Sequence, residues 1–440
     1  MTATAVAPRS RPPFRQTFRA LHNRNYRLFW IGQLISQTGT WMQQIAQAWL
    51  ILQLTNSPLA LGALTTVRFA PILLFSLFGG VYADRFPKRR TLLCTQTVML
   101  LQAAAMAVLT WTGLINIPEL YVLSIISGLA VALDNPTRQA FVVELVGRED
   151  VPNAVALNST LFNTTRIIGP AISGVLIATV GMAACFGLNA VSYLAVLLGL
   201  VLIRTDQLFV GRAPRERRNI FAEIGEGLRY ASRTPDVVLV LILMAVIGTF
   251  GYNNSVLLPL IAQDVLHTGA AGFGSLTSAM GVGSLIAALG IAYFNRSTRA
   301  ILLVGAAGFC LLLGAVGLSS QLLLTILFLV GLGVCSIVFT ATANTRLQLV
   351  SRPEFRGRIM SMYMLLFAGT TPIGSLIVGS LAERFGVQLA VIQLAVICAL
   401  GVVGAAVFAR RRLHDAPDVP AVPTVAHATS GATATGAVAD

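Results

Sequence analysis

Lysine is almost missing from this 440-residue chain: Lys88 stands alone against 30 arginines. Together with abundant alanine, that bias reads as GC-rich coding rather than chemistry. Charge of either sign is scarce. Asp, Glu, Lys and Arg make up 11% of the residues, where a soluble domain carries about a quarter. Hydrophobic residues reach 55% and mean hydropathy is +0.77. So few charges cannot cover the surface of a soluble protein of this size, and the bilayer is the solvent that fits. No G-x-x-x-x-G-K-[S/T] segment occurs, which argues against an ATP-driven pump. No His/Glu/Asp cluster falls in the apolar runs, so nothing points to a membrane-embedded enzyme, a metal or a cofactor. The five cysteines (Cys94, Cys185, Cys310, Cys335 and Cys398) are scattered singly, without metal-ligand or disulfide spacing. A cleavable signal peptide is also missing. Residues 1–27 hold six arginines and the Pro12-Pro13 pair, with no short apolar stretch before the first long one.

What is present is a series of long apolar runs. A crossing helix needs about 20 mostly apolar residues. Twelve runs qualify, near 27–53, 59–82, 91–113, 118–140, 153–180, 183–203, 237–262, 270–294, 300–318, 321–343, 359–382 and 387–409. The short alternating segments of a β-barrel do not appear. The expectation is an all-α membrane protein with twelve transmembrane helices. It divides into an N-terminal tail (1–26), a six-helix half (27–203), a polar loop (204–236), a second six-helix half (237–409) and a low-complexity tail (410–440). The loop carries a helical pattern in Phe221, Ile224, Leu228 and Tyr230.

The positive side chains give the orientation. With an even number of spans, both termini and every second loop share one side. That side holds 28 of the 31 Arg and Lys residues. Arg384 falls in a loop on the other side, while Arg68 and Arg166 fall inside spans. Cytoplasmic loops carry the positive excess, so both termini are expected in the cytoplasm. The net charge of +14 is then a matter of topology. Nucleic acid, which needs basic residues clustered on a polar surface, is not an expected partner.

The two halves resemble each other weakly. Gly80-Val-Tyr-Ala-Asp84-Arg85-Phe-Pro-Lys88-Arg89-Arg90 follows span two, and Gly290-Ile-Ala-Tyr-Phe-Asn295-Arg296-Ser-Thr-Arg299 follows span eight. Gly169-Pro170-Ala-Ile-Ser-Gly174 in span five is matched by Thr371-Pro372-Ile-Gly374 in span eleven. Repeated six-span halves are a transporter architecture with its site near the midplane. On these segments the chain resembles the major facilitator superfamily, departing at Pro87, where the family usually has Gly. Residues 166–174 are similar to part of a fifth-span motif of its drug exporters. Asn135-Pro-Thr-Arg138-Gln-Ala-Phe with Glu144-Leu, Asn153-Ala-Val-Ala-Leu-Asn158, Leu258-Pro259-Leu and the segment Phe18 to Trp30 resemble the bacterial branch with the enterobactin exporter and macrolide efflux proteins. The resemblance covers roughly residues 18–410. It implies two pseudo-symmetric halves and a secondary active transporter of the bacterial cytoplasmic (inner) membrane. Such a protein exports a small molecule (a drug-like compound, a macrolide or a siderophore) by alternating access as a monomer. A lipid or lysophospholipid translocator, or an uncoupled facilitator, is the alternative.

Particular residues carry the chemistry. Gly80 permits close helix approach, and Asp84 can bond the N–H groups of a neighbouring helix terminus. Arg85, Arg89 and Arg90 sit where lipid phosphates and carboxylates are available, and Asp134 is the expected partner for an arginine of this loop. The resemblance implies that Gly80, Asp84, Arg85, Arg89, Arg90, Asp134 and Arg138 latch the outward-open state. Plain topological anchoring is the alternative.

Gln33, Gln37, Trp41 and Gln44 share one face of span one, which points to a wet cavity or to hydrogen bonds between helices. Asn158, Phe162 and Arg166 repeat the pattern in span five. Asn253 and Asn254 in span seven, and Tyr363 and Phe367 in span eleven, complete the cavity candidates. Gly169, Pro170, Gly174, Pro372 and Gly374 are packing candidates. Arg68 and Arg166 have no carboxylate at their depth, so each faces backbone carbonyls, cavity water or an anionic ligand. The resemblance further implies proton antiport. The acids nearest the interior, Asp134 and Asp264, are the candidates, Asp84 and Glu144 lying farther toward the faces.

Overall fold

The computed structural model describes residues 14–209, 220–294 and 298–413. Within these, the side chains of 14–17, 76–85, 220–224, 292–294, 368 and 413 are outside the described set. Every described element is helical. After a 3-10 turn, Phe14–His22, the first half contains α1 (Arg24–Thr55), α2 (Pro58–Arg85), α3 (Lys88–Trp111), α4 (Ile117–Thr179) and α5 (Met182–Leu202). The second contains α6 (Ile220–Arg233), α7 (Pro235–Val246), α8 (Asn254–Leu260), α9 (Gly269–Phe294), α10 (Arg299–Leu318), α11 (Leu322–Val350), α12 (Pro353–Ala368), α13 (Thr371–Phe385) and α14 (Val387–Leu413).

Ten segments are long and apolar enough to cross a membrane by composition alone. Local geometry supplies two more. Helix α1 has 32 residues, but the glutamines at 33, 37, 43, 44 and 47 dilute its hydropathy. Helix α4 has 63 residues, which as one rod would be about 95 Å long. It is two crossings, broken at Gly147, where φ is 73° and ψ 166°. Residues with a Cβ disfavour that φ. The ring of Phe209 lies over the break, and Phe209 N–H donates to the Glu144 carbonyl at 2.8 Å. Twelve crossings result, as the sequence predicts. The expected loop at 135–152 is helical on either side of this break, because Asp134, Arg138 and Glu144 find partners within the bundle.

The seventh crossing is built in pieces. A π-helical turn, Ile247–Gly251, ends α7, and Tyr252 and Asn253 leave helical geometry before α8 begins. A second π-helical turn, Ile261–Val265, follows α8. The eleventh crossing is α12 and α13, interrupted at Gly369 and Thr370.

Packing repeats between the halves. In the first, α1 and α3 lie on α5, and α2 on α4. In the second, α7 and α10 lie on α14, and α9 on α11. Between halves, α4 crosses α9 and α13 crosses α2. The fifth span thus meets the eighth as the eleventh meets the second, the relation expected of pseudo-two-fold halves. Leu101, Val108, Val304, Leu311, Leu323 and Leu400 leave most of their surface bare on the outside of the bundle. In water each bare side chain would forgo about 1.5–3 kcal/mol, whereas acyl chains cover it.

The tail expected at 1–26 is docked over its second part. Ala20 is buried and its N–H donates to Asn153 Oδ1 at 2.9 Å. Asn23 caps α1 by accepting from the N–H groups of Asn25 and Tyr26. Residues 1–13 and 414–440 lie outside the described residues, as does 210–219 of the central loop. The rest of that loop holds α6, which rests on α12. Tyr230 stacks on Phe355 at 4.5 Å, and Arg358 pairs with Glu226 at 2.8 Å.

Candidate functional site

The face bearing both chain ends is called the Arg-rich face below. Among the described residues, the bonds that join the halves lie from the midplane toward the other face. Ser57 Oγ donates to Glu383 Oε2 at 2.9 Å, and Leu59 N–H donates to the same oxygen at 3.2 Å. Gln263 Nε2 donates to Asn56 Oδ1 at 2.8 Å. Deeper in, Thr66 Oγ1 donates to the Pro372 carbonyl at 2.8 Å, and Ser278 Oγ to the Ile167 carbonyl at 3.0 Å. Helices α4 and α9 touch through Gly174 and Gly274: a Cβ at Gly274 would lie 2.6 Å from the Pro170 carbonyl oxygen. The predicted packing residues all sit at crossings. Gly169 lies under Trp41, and Gly374 lies against the Thr249 carbonyl and Asn253.

On the Arg-rich side the ion pairs Lys88–Glu144, Arg138–Asp134 and Arg358–Glu226 each lie within one half. Asp134 is buried. Its Oδ1 accepts from Thr95 Oγ1 and Gln96 Nε2, both at 2.8 Å, and its Oδ2 pairs with Arg138 at 3.1 Å. Arg138 also donates to Gln33 Oε1 at 2.9 Å and to Asn135 Oδ1. Spans one, three and four are thereby tied. The partner of Asp134 among the described residues is Arg138, one turn along the same helix, rather than Arg89 or Arg90 of the loop. Arg89 instead donates to the Leu200 carbonyl at 2.6 Å and the Val201 carbonyl at 3.0 Å, capping α5. Arg90 is exposed, and Lys88 pairs with Glu144 at 2.7 Å. Gly80, Asp84 and Arg85 have side-chain positions outside the described residues.

The second half carries a tie that the sequence reading misses. Asp236 pairs with Arg299 at 2.9 Å and Arg346 at 2.6 Å, joining spans seven, nine and ten. Arg346, counted as a loop residue from the sequence, lies within α11 with no exposed surface. A proline and an acid directly before an apolar run, here Pro235-Asp236, is a helix-start signal and could have revealed Asp236.

The predicted cavity residues separate into two groups. Gln33, Asn158 and Asn253 hold the fold. Gln33 bonds Arg138, Asn158 accepts from Tyr26 Oη at 3.1 Å, and buried Asn253 donates to the Thr249 carbonyl at 2.7 Å. Gln43, which the sequence reading passed over, belongs with them: it donates to Gln102 at 2.9 Å and accepts from Asn189 at 2.7 Å. The second group is half-buried or exposed. Gln37, Gln44 and Asn254 are half-buried and have no hydrogen bond to protein among the described residues. Trp41 meets Phe162 edge-on at 5.8 Å. Phe367 stacks on Tyr363 at 6.1 Å, and Tyr363 Oη donates to the Thr340 carbonyl at 3.3 Å.

Arg68 and Arg166 lie about 15–20 Å along their helices from the end opposite the Arg-rich face. Neither has a carboxylate or hydrogen-bond partner among the described residues. The Arg68 guanidinium stands 6.0 Å from the Phe69 ring centroid, near the Tyr193 hydroxyl. Arg166 lies near the Tyr252 hydroxyl of the other half. Tyr252 marks the break in span seven, another residue that sequence periodicity missed. It donates to the Ser336 carbonyl at 3.2 Å. Asp264 is exposed at the face opposite the Arg-rich one, beyond this site.

The sequence matches the family described as "Transmembrane secretion effector" over residues 15–429. Relatives include the staphyloferrin A transporter of Staphylococcus aureus, 26% identical over 82% of this chain and 90% of the relative. The multidrug efflux pump Tap of Mycolicibacterium fortuitum is 25% identical over 86% and 94%. The enterobactin exporter EntS of Citrobacter koseri is 24% identical over 90% and 94%. Among solved structures, a POT family transporter aligns with a TM-score of 0.72 at 13% identity, covering 90% of this chain and 99% of that one. A bacterial homolog of the human lysosomal transporter Spinster, in an inward-facing and unoccupied conformation, aligns with a TM-score of 0.71 at 13% identity, covering 92% and 99%. At such identities the structural likeness establishes the fold alone.

Proposed function

Because the chain belongs to the transmembrane secretion effector family of the major facilitator superfamily, we propose that it exports a small organic molecule from the cytoplasm by alternating access, driven by proton antiport. It is a multi-pass membrane transporter and not an enzyme. The positive-inside rule puts the Arg-rich face, and with it both termini, in the cytoplasm of a bacterial inner-membrane protein. The observation that carries the mechanism is that the bonds joining the halves gather on the external side. With that side closed, the half-buried Gln37, Gln44, Arg166 and the exposed ring of Phe162 are reached from the cytoplasm. Rocking of the halves then breaks the Ser57–Glu383 and Gln263–Asn56 bonds. It brings the loop of Asp84 and Arg89 against the second half as a latch. One chain holds the whole site, so a monomer suffices.

Asp134, whose carboxylate ties spans one, three and four through Thr95, Gln96 and Arg138, is the coupling residue in this account. Asp264, exposed on the far side of the site, is set aside for this role.

Everted membrane vesicles from overproducing cells provide the test. Uptake of a panel of siderophores, macrolides and lysophospholipid is measured with and without nigericin. Uptake of a siderophore or drug that collapses with the pH gradient supports the account. Uptake that persists replaces antiport with facilitation, and movement of lysophospholipid alone replaces drug export with lipid translocation.

A further inference from the structure

Near the Tyr252 hydroxyl of the other half lies Arg166. One turn before it on α4, Phe162 meets Trp41 of α1. Across the gap, Tyr252 lies edge-on to Phe309 at 5.1 Å and to Phe367 at 5.9 Å. Phe162 and Phe367 are 47% and 40% exposed, so neither ring is fully used in packing. Arg68 adds a second guanidinium without a carboxylate partner at a similar depth. The nearest acids of the bundle, Asp134 and Asp236, are already paired.

We infer that the exported molecule, on the export reading above, is an anionic aromatic compound whose acid group pairs with Arg166 while its ring packs against Phe162 and Phe367. A guanidinium offers a planar fork that matches a carboxylate or sulfonate through two hydrogen bonds. Aromatic rings take a second ring in offset or edge-on geometry. Away from bulk water the charge term grows, and the same term works against a cation placed beside two unmatched guanidiniums. A neutral ring keeps only the stacking, and an aliphatic acid keeps only the charge. Selectivity therefore requires both features in one molecule. Because Arg166 and Phe162 come from one half and Phe367 from the other, the ligand also bridges the parts that must rock.

Equilibrium dialysis on the purified full-length protein in detergent tests this, against protein-free micelles. Four probes separate charge from aromaticity: naphthalene-2-sulfonate, naphthalene-2-methanol, cyclohexanesulfonate and 2-naphthylmethylammonium. Wild type is expected to bind naphthalene-2-sulfonate at least about tenfold more tightly than each of the others, a difference of about 1.4 kcal/mol. Arg166→Gln loses the preference for the sulfonate over the alcohol, and Arg166→Lys keeps most of it. Phe367→Leu weakens both uncharged and anionic naphthalenes and leaves cyclohexanesulfonate unchanged. Equal binding of sulfonate and alcohol, tighter binding of the ammonium probe, no binding of any probe, or an intact preference in monodisperse Arg166→Gln overturns the inference. Each of those results leaves gradient-driven uptake in vesicles standing, so failure here and failure of the export reading are told apart.

Discussion

Arg346, with no exposed surface, donates to Asp236 at 2.6 Å, and Arg299 pairs with the other oxygen of the same carboxylate at 2.9 Å. This joins spans seven, nine and ten as Asp134, Arg138 and Gln33 join spans four, three and one. In the alternating-access account these ties let each half move as a unit about the seam between them. Removing the carboxylate takes away an acceptor shared by two guanidiniums, one of them fully buried. Asp236→Asn is expected to cost about 3–5 kcal/mol, read as a lowered Tm in detergent. The double variant Asp236→Leu with Arg346→Leu should recover most of that loss. An unchanged Tm in the single variant would contradict the tie.

The latch is tested by Asp84→Asn. Transport should stop while insertion and yield stay at the wild-type level, measured by vesicle uptake beside membrane fractionation. Wild-type rates would remove Asp84 from the mechanism and leave topological anchoring as the role of its loop.

The external seam depends on the close approach of α4 and α9. Gly274→Leu places a side chain where a Cβ alone would lie 2.6 Å from the Pro170 carbonyl oxygen. The variant should insert normally but keep the external side from closing. Cysteines introduced at Ser57 and Glu383 should then cross-link poorly, whereas the same pair in the parent cross-links readily. Equal cross-linking in both would mean that this seam does not control closure.

Span number was legible because hydropathy reports the solvent around each residue. The coarse positions of Arg68 and Arg166 were legible for the same reason. What escaped depends on tertiary pairing. Asp236 and Arg346 look like loop residues because both sit at span ends, where polarity alone cannot say whether a charge meets water or a partner. Helix α4 reads as two spans and a loop, yet the turn is one residue, Gly147, and the flanking polar residues are helical. The glutamines of α1 form two faces. Periodicity exposed the one holding Gln37 and Gln44, but Gln33 turned out to bond Arg138, and Gln43 bonds α3 and α5. The approach of Arg166 to Tyr252 crosses the two halves, and no periodicity within one helix could announce it.

The central claim is that the halves rock about this seam, with Asp134 setting the balance. It is tested most directly by pulsed electron–electron distance measurements in nanodiscs on a cysteine-free background. One label pair, Glu149→Cys with Leu349→Cys, spans the Arg-rich ends, and another, Trp111→Cys with Leu318→Cys, spans the opposite ends; all four sites are exposed. Relative to wild type, Asp134→Asn is predicted to shorten the first distance and lengthen the second. Distances that stay fixed, or that change in the same direction, would contradict the account.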